Sequence, residues 1–190
     1  MPVEPLDPSR PAAAGALPDG YLVRPAVAAD VARLTAIELA AGALFRDVGM
    51  DDIAADEGQD PATLEAAAID GRLWVAEADG EPVGYALVVD LDGEHHLEQL
   101  SVDPAHGRRG LGAALVAAAD RWAAGLGGRS LTLCTFSDVP WNRPYYERLG
   151  FVVVDEAALS PALLAVRAHE AADGLDPATR VVMRRPVGAG

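Results

Sequence analysis

The feature that most constrains the fold is a glycine-rich stretch that joins a strand pattern to a helix pattern. Residues 95–102 alternate in a way that predicts a strand, and small and apolar residues over 110–124 predict a helix. Between the two lie Gly107, Gly110 and Gly112, which allow the backbone to approach a ligand closely. A chain with this order places a tight loop directly before a helix N-terminus.

The same stretch has the properties of an anion-binding site. The first turn of a helix offers unpaired N–H groups and a partial positive charge. A local basic patch lies there within a chain of formal net charge −14, and it consists of His106, Arg108 and Arg109. We therefore interpret the stretch as a cradle for a pyrophosphate group.

Two familiar nucleotide-binding motifs do not fit these residues. A Rossmann fingerprint requires G-x-G-x-x-G directly after the strand and an acidic residue about 20 residues further on. Here the glycines follow the order G-x-x-G-x-G, and the next predicted strand, 130–136, ends in Phe136-Ser137 without an acid at its tip. A Walker loop requires Gly-Lys-Ser/Thr, and no lysine is present. Both motifs are excluded.

What remains resembles the acetyl-CoA loop of GNAT N-acetyltransferases, whose signature is Gln/Arg-x-x-Gly-x-Gly/Ala after a strand ending in Val-x-Pro. This chain has Val102-Asp103-Pro104 and then the stretch 107–112. Gly107 replaces the Gln or Arg of the first signature position, so a side-chain contact is missing there, while the backbone amides of 107–113 remain available. The resemblance implies an acetyl-CoA site formed by Leu100, Val102, Gly107, Arg108, Arg109, Gly110, Leu111, Gly112 and Ala113.

A second segment carries the same resemblance. Tyr146 is followed by Glu-Arg-Leu-Gly-Phe, which is similar to the family's Tyr-x-x-Leu-Gly-Phe ending, and Asn142 precedes it. In the family the Asn contacts the pantetheine region of the cofactor, and the Tyr hydroxyl lies near the departing sulfur. The spacing from Asn142 to Tyr146 is shorter than in many members. A purely structural role for Tyr146, as a core aromatic, is the alternative.

The resemblance covers nearly the whole chain from Tyr21 onward and implies the GNAT fold. This is an α/β (α+β) fold with a mixed central sheet of about six or seven strands flanked by about four or five helices. The patterns agree, because strand and helix signals alternate while the middle three strands form a meander. Residues 1–18, rich in Pro and Ala, are interpreted as a flexible leader, and residues 19–190 as a single acetyltransferase domain.

Local signals place individual elements. An Asp79-Gly80 turn predicts a hairpin between the runs 73–78 and 83–89. Helix starts are predicted where a capping residue precedes the first turn, at Asp30, Asp60-Pro61 and Ser160-Pro161. Further strands are predicted at 21–25, 130–136, 151–154 and 180–184, and a short helix at 141–149.

Acetyl transfer needs a neutral amine nitrogen, and because an alkyl ammonium has a pKa of about 10, a general base is useful. The family places this base on the strand before the loop. Simple alternation puts His96, Glu98, Leu100 and Val102 on one face of the strand, with Leu97, Gln99 and Ser101 on the other. Glu98 is the first candidate for the base and His96 the second. Tyr146 is the candidate acid for the leaving thiolate.

Composition narrows the partners. The acidic balance argues against nucleic acid, no apolar run is long enough to span a membrane, and no signal-peptide pattern is present, so a cytoplasmic protein is expected. The four histidines and Cys134 lack metal-ligand spacing, so no metal is predicted, and Cys134 is interpreted as core packing. The acidic loop 47–60 weakly favours a cationic amine. A homodimer is left open through Leu163, Leu164 and Val166.

The predicted function is acetyl-CoA-dependent N-acetylation of a primary amine, on a small molecule, peptide or protein, by direct transfer in a ternary complex. Two alternatives remain: a catalytically silent acetyl-CoA-binding module, and a transferase that uses another acyl-CoA. The presence of both Glu98 and Tyr146 favours the enzyme, because a binding module needs only the loop.

Overall fold

A computed structural model describes residues 17–188. The strands are β1 (Tyr21–Pro25), β2 (Leu73–Ala78), β3 (Glu81–Leu91), β4 (Glu94–Val102), β5 (Ser130–Phe136), β6 (Val152–Val153) and β7 (Arg180–Pro186). The helices are α1 (Val31–Gly42), α2 (Asp51–Ala54), α3 (Pro61–Ile69), α4 (Leu111–Gly125), α5 (Arg143–Arg148) and α6 (Pro161–Ala172). Most of the predicted leader, residues 1–16, lies outside the described residues.

The seven strands found within residues 17–188 form one mixed sheet, in the order β1-β2-β3-β4-β5-β7-β6. Strands β1 to β4 are an antiparallel meander, β4 and β5 run parallel, and β7 is antiparallel to both β5 and β6. The predicted mixed α/β fold is therefore confirmed. The helix that was not anticipated is α2, a single turn too short to show an apolar period.

Turn and cap chemistry explains where several elements begin. Asp79 and Gly80 both have positive φ, at 51° and 87°, which is the turn that joins twisted strands in a two-residue hairpin. The carboxylate of Asp60 accepts a bond from the Thr63 amide at 3.3 Å. The hydroxyl of Ser160 accepts one from the Leu163 amide, also at 3.3 Å. The predicted starts of α3 and α6 are thus confirmed.

The predicted start of α1 directly after Asp30 is confirmed, but the Asp30 side chain makes no capping bond to the helix. Asp30 ends a 3₁₀ turn, Ala28–Asp30, that leads into the helix. Its carboxylate accepts bonds from the Arg24 guanidinium at 2.7 and 2.9 Å and from the Val27 amide at 2.8 Å. The bond from Arg24 holds the pKa of Asp30 below its usual range. The side chain therefore ties β1 to the start of α1 instead of closing the first turn of the helix.

Each face of the sheet packs against its own helices. On one face, Leu111 and Leu115 of α4 pack with Leu133 of β5 in a buried apolar layer. On the other face, Leu34 of α1 packs with Tyr85 of β3 and its neighbours. Replacing such a buried leucine by alanine costs about 2–5 kcal/mol, so these two layers hold the helices in fixed positions over the sheet.

A β-bulge interrupts β4. Glu98 stands unpaired between Leu97 and Gln99, which pair with consecutive residues of β3. The face assignment predicted by simple alternation is therefore wrong, because a bulge shifts the pleat by one residue. Leu97 packs in the α4 layer together with Leu100 and Val102, whereas Gln99 hydrogen-bonds to a side chain of α1.

The last predicted strand elements differ in length from those observed. Within the run 151–154 only Val152–Val153 form the strand, because Phe151 turns into the core; the Val154 amide still donates to the Val182 carbonyl of β7 at 2.9 Å. Strand β7 extends beyond 184 to Pro186 and pairs along the whole of β5. Among the residues that the structure covers, no helix is long and apolar enough to cross a membrane.

Candidate active site

A large cavity lies where β4 and β5 separate. The two parallel strands pair only through His95–Leu97 of β4, so beyond Leu97 no described strand pairs with this edge of β4. The cavity has a volume of about 1690 Å³. We call the part lined by 100–113 and 142–148 the loop half, and the part lined by 38–59, 96–99, 134–141 and 166–180 the helix half.

The backbone of the glycine-rich stretch lines the loop half and leads into a helix N-terminus, as predicted. Gly110 has a φ of 80° and immediately precedes α4, whose first turn receives no side-chain cap within the described chain. Leu111, Gly112 and Ala113 line the cavity, so the free N–H groups of this turn are available to an anion. Arg108 also has a left-handed φ, 58°, which is costly for a residue with a Cβ.

Side chains from outside the loop hold it in place. The Asp103 carboxylate accepts a bond from the Ala105 amide at 3.0 Å and pairs with Arg33 at 3.1 Å. The Tyr21 hydroxyl lies 3.0 Å from Nδ1 of His106 and so orients its ring. The loop is thus positioned by β1 and α1 before any ligand arrives.

The structure brings together nearly all the residues predicted to bind acetyl-CoA. Lining residues include Leu100, Val102, Gly107, Arg108, Gly110, Leu111, Gly112, Ala113 and Asn142. Arg109 is not among the lining residues. Its guanidinium donates to the carbonyls of Ala105 at 3.0 Å and Gly107 at 3.3 Å, so it braces the loop.

Tyr145 is a lining residue that the sequence analysis missed. A Cβ added at Gly112 would lie 2.5 Å from the Tyr145 hydroxyl oxygen, so a larger residue there would have to displace the Tyr145 ring. Burial raises the pKa of Tyr145 and keeps its hydroxyl protonated. Two adjacent tyrosines on a short helix give no sequence signal that tells which of them approaches the loop.

Tyr146 and Asn142 lie in the loop half near the separation of the strands. Both line the cavity, and the Tyr146 ring also packs edge-on against Phe151, with ring centroids 5.8 Å apart. Burial raises the pKa of Tyr146 to about 12. The phenol is therefore neutral at physiological pH and is a hydrogen-bond donor.

Glu98 and His96, the candidate bases, both line the helix half but differ in their surroundings. Glu98 projects from the bulge and is exposed to the cavity, where desolvation and then the nearby Glu170 raise its pKa. His96 is buried, and its Nδ1 lies 2.9 Å from the Thr132 hydroxyl, which itself donates to the His95 carbonyl. Nδ1 of His96 therefore carries the hydrogen. Burial lowers the pKa of His96 to about 4, which makes it the weaker base.

The helix half also holds a set of residues that sequence patterns did not indicate. The buried carboxylate of Glu38, on α1, accepts three hydrogen bonds. The donors are the Tyr85 hydroxyl at 2.5 Å, the backbone N–H of Gln59 at 2.9 Å and the side-chain amide of Gln99. Gly58 leaves room for it, since a Cβ at that position would lie 2.8 Å from its Oε2. The bulge is what turns Gln99 toward Glu38.

Cys134 and the apolar residues of α6 differ in how buried they are and in whether they line the cavity. Cys134 is half-buried and lines the cavity, and burial raises the pKa of its thiol to about 12, so it remains protonated. Leu163 is fully buried within the domain, Val166 lines the cavity, and Leu164 is exposed.

The two halves carry opposite charge. Basic side chains line the loop half: His106, Arg108 and Arg148. Carboxylates dominate the helix half: Glu38, Asp56, Glu98, Glu170 and Asp173. Two basic residues also line it: Arg180 forms an ion pair with Glu170, and the His169 ring nitrogen lies 3.4 Å from the Asp173 carboxylate. The arrangement suits an anionic ligand beside a cationic one.

Comparison with known proteins gives a family match over more than half of the chain. Residues 43–151 match the model described as the acetyltransferase (GNAT) family. This segment runs from the end of α1 through the glycine-rich stretch to Phe151, and so includes both motifs that the sequence analysis identified.

Solved structures of low sequence identity share the fold. The paia N-acetyltransferase of Thermoplasma acidophilum, in complex with coenzyme A, has a TM-score of 0.65 at 15% identity, covering 87% of this chain and 98% of that one. The ribosomal-protein-S18-alanine N-acetyltransferase of Escherichia coli has 0.62 at 18% identity, with 90% and 96% covered. N-acetylglutamate synthase of Neisseria gonorrhoeae, complexed with coenzyme A and N-acetyl-glutamate, has 0.64 at 20% identity, with 88% and 35% covered.

Proposed function

Because the chain belongs to the GNAT family of acetyltransferases, we propose that it is an acetyl-CoA-dependent N-acetyltransferase acting on a primary amine. One observation carries this proposal. A single cavity joins a basic, backbone-lined loop half to an acidic helix half, and Glu98 and Tyr146 both face it. Coenzyme A complexes among the similar structures support the assignment of the loop half to acetyl-CoA.

The residues of the loop half fit coenzyme A. The uncapped first turn of α4 and the side chains of Arg108 and Arg148 suit the phosphates. The unpaired edge of β4 offers backbone groups to an extended amide chain. When bound, acetyl-CoA supplies an activated acetyl group as a thioester. No metal takes part in this scheme.

The helix half prepares the acceptor nitrogen. Glu98 takes one proton from the ammonium, which frees the lone pair that forms the new N–C bond. As the C–S bond breaks, the nitrogen loses its second proton, and this proton neutralises the departing thiolate. A raised pKa improves Glu98 as a base, because a carboxylate that holds its proton more firmly also removes one more readily. His96, with a pKa of about 4, is the second candidate.

Tyr146 is proposed to stabilise the leaving sulfur. A thiol has an ordinary pKa of about 8.5, whereas that of Tyr146 is about 12. Full proton transfer from this phenol to a thiolate is therefore unfavourable. Tyr146 acts by donating a hydrogen bond as negative charge develops on the sulfur, and an unpaired backbone N–H of β4 does the same for the carbonyl oxygen.

The test follows release of free thiol from acetyl-CoA with a panel of amines, amino acids and peptides. We expect turnover with one class of amine, and a loss of about 10- to 100-fold in kcat for Tyr146→Phe with acetyl-CoA affinity retained. Tight binding of acetyl-CoA without turnover on any acceptor would favour a silent binding module. Faster turnover with a longer acyl-CoA would mean that the enzyme transfers that longer acyl group instead of acetyl.

A further inference from the structure

Only some of the acidic side chains of the helix half have a basic partner. Glu170 forms an ion pair with Arg180, and the Asp173 carboxylate lies 3.4 Å from the His169 ring nitrogen. In contrast, Glu38, Asp56 and Glu98 have no arginine or histidine nitrogen within ion-pair distance among the described residues. A single reacting ammonium, which gives up its proton to Glu98, leaves most of this charge uncompensated.

Glu38 is the most informative of these carboxylates. It is only 9% exposed, yet it lines the cavity. All the groups that donate to it are neutral: the Tyr85 hydroxyl, the Gln59 amide and the Gln99 side chain. Buried carboxylates are normally paired with a cation, because removing a charge from water is costly. A buried, fixed and uncompensated carboxylate in a cavity wall therefore points to a cationic ligand.

An aromatic wall lies in the same half of the cavity. The ring of Phe45 is 5.6 Å from that of Phe136 and 6.1 Å from that of Trp141, measured between centroids, and all three residues line the cavity. The Arg180 guanidinium already stacks over the Phe136 ring at 4.5 Å. Such a wall packs against methylene groups and also attracts cations through its ring faces.

We propose that the acceptor is an amine with a second cationic nitrogen, an inference that rests on the proposed function. The reacting nitrogen lies by Glu98 and gives one proton to that carboxylate before the N–C bond forms, and its second proton passes to the departing thiolate. The second nitrogen stays protonated and pairs with Glu38, while the carbon chain between them packs on the wall of Phe45 and Trp141. The product keeps one positive charge, which Glu38 continues to offset.

The experiment compares butylamine with diaminobutane, which differs only by the second amine, and with a short lysine-containing peptide. The measured quantity is the ratio of kcat/KM for diaminobutane to that for butylamine. We expect a ratio of about 10 to 100, the value of a charge-assisted hydrogen bond. The peptide arm distinguishes a small diamine from a basic peptide as the source of the second nitrogen.

Glu38→Gln is the informative variant, and we expect it to bring the ratio to about 1 by raising KM for the diamine. The variant is compatible with the fold, because the Gln99 amide can flip. Its oxygen then accepts from the new amide nitrogen and from the Ser101 hydroxyl, the two groups that its nitrogen contacts in the parent protein. Asp47→Asn removes an exposed charge of the neighbouring segment, outside the cavity lining, and keeps the ratio unchanged.

Calorimetric titration of both amines into protein loaded with coenzyme A tests the inference without turnover. Tighter binding of diaminobutane, lost in Glu38→Gln, supports it even if no amine is acetylated, in which case only the proposed function fails. Equal binding and turnover of the two amines overturns the inference and leaves the function standing. An acidic amino acid as the best acceptor also overturns it.

Discussion

The loop half and the helix half of the cavity are built in different ways. The loop half comes from two continuous segments, and most of its contribution is backbone N–H groups at a helix N-terminus. The helix half comes from four segments far apart in the chain, and it contributes carboxylates and aromatic rings. A site formed by backbone groups therefore tolerates a changed side chain, such as the glycine at position 107. A site formed by side chains depends on every residue in it.

Glu98 lies where the two halves of the cavity meet. A change at Glu98 is therefore the strongest test of whether reaction of the amine and binding of acetyl-CoA depend on separate halves. We expect Glu98→Gln to lower kcat/KM for the amine about 100-fold. The dissociation constant for acetyl-CoA, measured by calorimetry, should stay the same, because Glu98 belongs to the helix half. Glu65→Gln, on an exposed position of α3, is the control. An equal loss of acetyl-CoA binding would mean that the halves are not independent.

The pH profile refines this test. A base acts only when it is ionised, so kcat/KM falls as the pH drops through the pKa of Glu98. Because desolvation and Glu170 raise that pKa, the acid limb should lie above the ordinary glutamate range and should be absent in Glu98→Gln. Glu170→Gln should move the limb to lower pH. A limb that is unchanged in Glu98→Gln would transfer the role to another group.

Variants of Arg108 test whether acetyl-CoA binding by the loop half depends mainly on backbone groups or on side chains. We expect both Arg108→Ala and Arg108→Gly to weaken acetyl-CoA binding by about fivefold, since each removes one exposed charge. Their stabilities should differ. At a φ of 58° glycine avoids a strain that alanine keeps, so the glycine variant should unfold with a free energy about 1 kcal/mol higher. A loss of affinity far larger than fivefold would show that the side chain dominates.

The smallest effect is expected at Cys134, inside the helix half. Direct transfer needs no covalent enzyme intermediate, and burial raises the pKa of this thiol to about 12, so it is not ionised at neutral pH. Cys134→Ala should therefore keep kcat within about twofold of the parent. Alkylation by iodoacetamide at neutral pH should be slow. Loss of all activity, together with an acetylated thiol in mass spectra, would contradict direct transfer.

The same comparison explains how much the sequence could predict. The strand, glycines and helix of the loop half are neighbours in the chain, so their pattern predicted the local fold, and the family resemblance that they carry indicated the lining residues. Arg109 is the exception, because a long side chain beside a turn can point either way. The Asp30 side chain was also misassigned as a cap, since Arg24, six residues earlier, and the Val27 amide donate to its carboxylate instead.

The helix half was harder to predict because its residues meet only in the folded chain. Glu38 lies on a mostly apolar helix, and nothing near it in the sequence indicates that Tyr85 and Gln99 will donate to it. The bulge at Glu98 depends on the pairing with β3, which alternation within β4 does not contain. Glu98 itself was identified through the family resemblance, and its role as base stays a prediction.

The position of β7 has a consequence for synthesis of the protein. This strand lies between β5 and β6 and carries Arg180 into the helix half, although it comes after both in the chain. A nascent chain emerging from the ribosome completes the loop half by residue 148, well before β7 is made. Until then β5 has an open edge and β6 has no partner. Chains that terminate prematurely before Arg180 should therefore be ready substrates for proteolytic quality control.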